Sequence, residues 1–288
     1  MDEEELNNQE DRELLKGTLL KYEEMVKNND RYFFDVDAIL HLAEYFQNRG
    51  QSNRAFEVAS YGLDLHPEAI NILLKKAQLA SAEGKNNLAL QMLEKAESSH
   101  PYEAELWLVK AKIYDAIEEY KECISCLKTA IGINDSDGYL YSELAAAYQM
   151  VYDYDNAIKN YKIAFERMPQ DELILAEFYT CLLSSDRVQD GLLFFQKMID
   201  DDPYNADAWF YYASLLAEVN SYKEAIKAFD YCLVIDDMYD SAYIGKGDAL
   251  ANIDDHKEAI VNYKLSLECI DPDVNVYTSI AESYDQMD

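Results

Sequence analysis

Large and small side chains recur along this chain with a period of 34 residues, without a gap from Val36 to the end. In rows starting at Val36, Ile70, Ala104, Gly138, Glu172, Ala206, Asp240 and Val274, the eighth column reads Ala43, Ala77, Ala111, Ala145, Tyr179, Ala213, Gly247, Ala281. The twentieth column is small as well: Ala55, Ala89, Cys123, Ala157, Gly191, Ala225, Ala259. Column four is large (Ile39, Leu73, Trp107, Tyr141, Leu175, Trp209, Tyr243, Tyr277), and so is column eleven apart from Ala80. Columns four, eight and eleven share one face of a helix, where a small residue between two large ones makes a notch that a second helix can enter. That second helix carries column twenty and a further apolar column, the twenty-fourth: Ala59, Leu93, Leu127, Tyr161, Phe195, Phe229, Tyr263.

Between the paired helices, column fifteen holds Gly50, Gly84, Glu118, Tyr152, Asp186, Asn220 and Asp254, mostly residues that accept the left-handed conformation ending a helix. Column thirty-two holds Pro67, Pro101, Asp135, Pro169, Pro203, Asp237 and Asp271, which are expected to start the next helix. A repeat of this length built from helix pairs predicts an all-α solenoid. The fifth row departs from the pattern, with Tyr179 in a small column and Gly191 opposite. A ring facing a missing side chain conserves volume, so Tyr179 is expected to lie over Gly191.

Ahead of the repeats, residues 1–12 are acidic and poor in large apolar groups, a composition that predicts disorder. Over residues 13–34, Leu15, Leu19, Tyr22 and Val26 form one helical stripe outside the repeat columns, as expected of a helix capping the open end of a stack. Asn28-Asn29 is expected to end it, with Asp35 as N-cap of the next helix. Seven units then fill 36–273. Residues 274–288 give the first helix of an eighth unit or a C-terminal cap, and the chain stops at the turn column, which points to a fragment.

The columns resemble the tetratricopeptide repeat: a large residue at four, Ala or Gly at eight, Tyr at eleven, Ala at twenty, an aromatic at twenty-four, Ala at twenty-seven and Pro at thirty-two. The resemblance covers about Val36 to Asp288. It implies a right-handed superhelix of antiparallel helix pairs whose first helices line a concave groove for peptides or partner segments.

Charge sharpens that expectation. With 56 Asp plus Glu against 25 Lys plus Arg, the chain carries a formal charge of −31, which disfavours nucleic acid and anionic membranes and favours basic partners. No apolar run reaches the roughly 18 residues of a membrane helix. Met1-Asp2-Glu3-Glu4-Glu5 lacks the basic and apolar regions of a signal peptide, and five cysteines without framework spacing fit a reducing compartment, so a cytoplasmic location is expected.

Catalytic and cofactor signatures do not emerge. His41, His66, His100 and His256 lack zinc spacing, and Cys123-x-x-Cys126 falls on repeat columns that make its thiols core residues. The Asp-rich stretch before Gly138 places Ile133 and Leu144 where calcium ligands would be required. The expected protein is a non-enzymatic scaffold without cofactor or metal.

In the family, the groove-facing columns are chiefly two, five, nine, twelve and thirteen of each first helix. The resemblance therefore assigns to the groove the acids Asp37, Glu44, Glu105, Asp115, Asp207, Glu218, Asp248, Glu282 and Asp285 against one base, Lys112. Leu40, Leu74, Leu108, Phe210 and Ile244, together with Tyr139, add apolar anchors, or alternatively pack against the neighbouring first helix. The Lys-based clamp that some members use on chaperone carboxyl termini is missing, since the matching places hold Leu40 and Glu44, Leu74 and Gln78, and Leu108 and Lys112. The expectation is a scaffold holding a basic or amphipathic protein segment in an acidic groove. Two alternatives stand beside it: a regulatory or substrate-recruiting arm of an enzyme continuing beyond residue 288, and self-association through the C-terminal end of the stack.

Overall fold

In the repeat region every first helix begins at column one and every second helix at column seventeen. The computed structural model describes residues 3–169, 171–269 and 273–287, and among these it contains sixteen helices. One unit, Met1–Pro169, holds α1 (Glu3–Asn28) and four helix pairs: α2 (Val36–Asn48) with α3 (Ser52–Leu65), α4 (Ile70–Ala82) with α5 (Asn86–Glu97), α6 (Ala104–Ala116) with α7 (Tyr120–Ile133), and α8 (Gly138–Met150) with α9 (Tyr154–Arg167). The other, Gln170–Asp288, holds α10 (Glu172–Ser184) with α11 (Val188–Asp201), α12 (Ala206–Glu218) with α13 (Tyr222–Ile235), α14 (Asp240–Ala251) with α15 (His256–Cys269), and α16 (Val274–Asp285). No helix among the described residues is long and apolar enough to cross a membrane.

The notch reading describes the core of both units. Ala43, Ala77, Ala111 and Ala145 in column eight are at most 1% exposed, as is Ala213, and column-twenty alanines such as Ala55, Ala157 and Ala225 are fully buried. Opposite them lie the large column-twenty-four residues Leu93, Tyr161, Phe195, Phe229 and Tyr263. Cys123, Cys126, Cys181 and Cys232 are buried free thiols; burial raises their pKa values, to about 12 for Cys123 and about 11 for Cys126.

Column fifteen makes the turn in all seven units, with φ between +55° and +76° from Gly50 to Asp254. The next amide then bonds back to the column-eleven carbonyl at 2.9–3.0 Å, as from Gln51 to Phe46 and from Asp255 to Leu250. This backbone closure lets Glu118 and Tyr152 occupy a conformation that is unfavourable for a residue with a Cβ. Glu118→Gly should therefore stabilise the chain by about 0.5–1 kcal/mol, the left-handed penalty relieved less the entropy glycine loses. Gly84→Ala should lose about as much, and urea denaturation of the two variants checks the pair.

Column thirty-two does not start helices. Its described members sit in the inter-repeat turn, and Asp271 lies outside the described residues. The N-cap is column thirty-four, two positions later: Asp35 accepts a bond from the Ala38 amide at 2.8 Å, and Asp137, Asp171, Asn205 and Asp273 cap in the same way. The turn carbonyls have a second use, for Trp107 Nε1 donates to the Pro101 carbonyl at 3.1 Å and Trp209 Nε1 to that of Pro203 at 3.0 Å.

Helix α1 starts at Glu3, inside the segment whose composition predicts disorder; residues 1 and 2 lie outside the described residues. Glu, Gln, Leu and Arg are good helix formers, and acidic residues suit a helix N-terminus. Tyr22 and Met25 are its buried residues, with Leu19 half-buried beside them, whereas Val26 is 53% exposed. Tyr22 packs on Phe34 and Phe46, and Asn29 ends the helix with φ +54°.

The fifth row corrects the expected ring-over-glycine pairing. A Cβ on Gly191 would stand 2.5 Å from Leu215 Cδ1 and 2.7 Å from Leu182 Cδ1, so leucines fill that space. Tyr179 instead packs on Tyr211 with ring centroids 5.3 Å apart. Desolvation raises its pKa to about 12. A ring too large for the notch between paired helices has turned towards the next first helix, α12.

Candidate functional site

Columns two, five and nine are three and four residues apart, so each first helix presents them along one face. In the first unit, Asp37, Glu44, Glu105 and Asp115 are exposed on that face. Leu40 and Leu108 are half-buried. Leu74, expected as an apolar anchor, is only 1% exposed and belongs to the core with Ala77, Leu93 and Leu106. Helix α4 touches both α2 and α6, so its column-five side chain is covered by neighbouring first helices. Buried Ser142 in the same column of α8 shows the same trend.

The one base of this face is committed. Lys112 donates to the Tyr139 hydroxyl at 2.7 Å, lies 4.9 Å from that ring's centroid, and stands 3.6 Å from Glu143 Oε1. Burial pushes its pKa down, but Tyr139 and Glu143 outweigh burial and hold it above the usual lysine value. Burial and the charge of Glu143 hold Asp115 above the ordinary carboxylate range.

In the second unit two carboxylates are held by tyrosine hydroxyls. Tyr239 donates to Asp207 Oδ1 at 2.8 Å while its ring packs on Phe210, with centroids 5.0 Å apart; burial and that bond raise the Tyr239 pKa well above the usual value. Tyr263, the buried column-twenty-four ring of α15, donates to Asp248 Oδ1 at 2.7 Å. Desolvation holds Asp248 above the usual carboxylate range, against the lowering pull of the Tyr263 bond. Ile244 is half-buried against Leu250 and Tyr263, and Glu218 is exposed, its charge adding to the raised pKa of Tyr179.

Asp248 and Glu282 meet at a cleft of about 600 Å³ formed by α14, α15 and α16, lined also by Asn252, His256, Ser279 and Gln286. His256 Nε2 lies 4.0 Å from Asp254 Oδ1, and its buried Nδ1 has no hydrogen-bond partner. Asp285 is exposed at the end of α16. Glu143, Tyr239, Tyr263 and His256 were not among the expected groove residues. Only a tyrosine in the otherwise apolar column twenty-four signals one of them, because a buried ring hydroxyl needs a partner.

Profiles of the tetratricopeptide repeat match residues 70–201 and 194–227, together more than half of the chain. No curated protein matches the sequence. Among solved structures, yeast Tom70 is similar over 94% of this chain and 58% of its own, at 16% identity and a TM-score of 0.54; this chain thus spans little more than half of that structure. A tetratricopeptide repeat protein from Parabacteroides merdae ATCC 43184 is similar over 86% of this chain and 98% of its own, at 13% identity and a TM-score of 0.50. With helix pairs in register across the matched columns, the chain belongs to the tetratricopeptide repeat family.

Proposed function

We propose that this protein-interaction scaffold holds a basic or amphipathic segment of a partner protein against the acidic face of its first helices. The observation that carries the reading is the unpaired charge of that face. Among the described residues none of its nine carboxylates forms an ion pair, while acids elsewhere do, as in Arg54–Glu23, Lys110–Glu97 and Lys246–Asp230. Asp207 and Asp248 are held by tyrosine hydroxyls, which fix the carboxylates without neutralising them. Within each unit such charges draw cationic ligands and accelerate encounter. Half-buried Leu108, Phe210 and Ile244 supply apolar contact for the non-basic side of the segment.

The test uses a synthetic amphipathic Lys/Leu helical peptide, titrated against the full chain at several salt concentrations. Asp248→Lys with Glu282→Lys should weaken binding by about tenfold or more and flatten its salt dependence. Glu57→Lys with Glu94→Lys, exposed acids on second helices, makes the same change in net charge and should weaken binding far less. Equal losses in the two double variants would assign the effect to overall charge and refute the site. Self-association is the second reading, supported by the exposed Tyr277, Ala281 and Tyr284 of α16; sedimentation velocity over a concentration series tests it.

A further inference from the structure

The first unit carries a second cleft of opposite character. It measures about 430 Å³ and lies where the end of α3 and the following turn meet α4 and α5. Leu63, Ile70, Leu73 and Met92 give it an apolar floor, and Lys76 and Lys95 stand on its wall. This volume is in the range of small-ligand sites. We propose that the cleft binds a small organic anion with an apolar body, the body seated on Leu63, Leu73 and Met92 and the anionic group between Lys76 and Lys95.

The charge pattern argues for it. Among the described residues neither Lys76 nor Lys95, the two bases flanking this apolar cleft, forms an ion pair. Lys76 is half-buried, with its ammonium 5.0 Å from the centroid of the Phe56 ring. Desolvation lowers its pKa, and the charge of Asp64 only partly offsets this; Asp64 is itself engaged by Arg31 at 3.5 Å. Glu68 is the acid on the cleft lining, and it is exposed. Lys76 thus lines an apolar cleft half-buried and without a carboxylate in ion-pair contact, and an amphiphilic anion supplies the closer counter-charge.

The probe is 8-anilinonaphthalene-1-sulfonate, a fluorescent apolar anion, and its control is N-phenyl-1-naphthylamine, the same body without the sulfonate. The strongly negative surface elsewhere repels the sulfonate, so binding away from the cleft is suppressed. The anion is expected to bind with one-to-one stoichiometry and to lose about tenfold in affinity in Lys76→Met with Lys95→Met. The uncharged control should bind more weakly to the parent protein and be indifferent to that double variant. Lys95→Glu, at an exposed position, provides a second variant that leaves the core untouched and should also weaken the anion. Unchanged affinity of the anion in both variants, or tighter binding of the uncharged control, would overturn the proposal.

Discussion

Phe229→Ala is expected to destabilise the second unit by about 3–5 kcal/mol, as for other buried phenylalanines cut to the Cβ. Phe229 is 1% exposed, and its ring lies beneath the bare Cα of Gly245, so close that a Cβ there would come within 2.5 Å of it. Ala225, Ala228 and Cys232 surround it on its own helix, and Phe210 approaches from α12 with ring centroids 6.1 Å apart. Ala225, Ala228 and Cys232 are small and Gly245 has no side chain, so on those sides little can collapse into the space left behind. Repeat stacks gain stability from each unit and its neighbours, so the loss should appear first around α12 to α14. Trp209 reports there, because its ring stacks on Tyr231 at 4.5 Å. Urea denaturation followed by Trp209 fluorescence in a Trp107→Phe background gives the number. A loss under about 1 kcal/mol would mean that the column-twenty-four ring is not the core residue described.

The second large effect is Gly191→Leu, expected to cost about 1–3 kcal/mol through overpacking. The partners of the new side chain are Leu215 and Leu182, not Tyr179. A double-mutant cycle separates these readings. Leu215→Ala should recover much of the loss caused by Gly191→Leu, and Tyr179→Ala should recover little. The reverse outcome would restore the ring-over-glycine pairing and discard the contacts found at α12.

The contrast at this row shows which features the sequence makes legible. The helix pairing, the left-handed column and the small-against-large core follow from backbone geometry and volume, which repeat with the residues themselves; all seven turns come at the expected position, whether Gly50 or Tyr152 occupies it. What did not follow was the direction taken by individual side chains. Tyr179 has two neighbouring helices to choose between, and the column pattern names only one. Likewise Met25 rather than Val26 completes the capping stripe, since the two are a single helical step apart and both apolar. Leu74 was legible as a first-helix residue but not as a covered one, because coverage depends on how closely α2 and α6 approach α4. The acids of the candidate face were legible as first-helix residues. The tyrosine hydroxyls that hold Asp207 and Asp248 come from a linker position and a core position, two places where a count of charged residues does not look.

The closure of each inter-helix turn by its own main chain sets what lengths evolution can try. A whole unit could be duplicated or lost while each remaining turn keeps its own backbone bonds, from column sixteen to column eleven. Adding one residue inside a helix would swing everything beyond it by about 100° around the axis and carry alanines out of their notches. Length variants among natural relatives should therefore differ by whole multiples of 34 residues, with odd-sized additions confined to the turns between units.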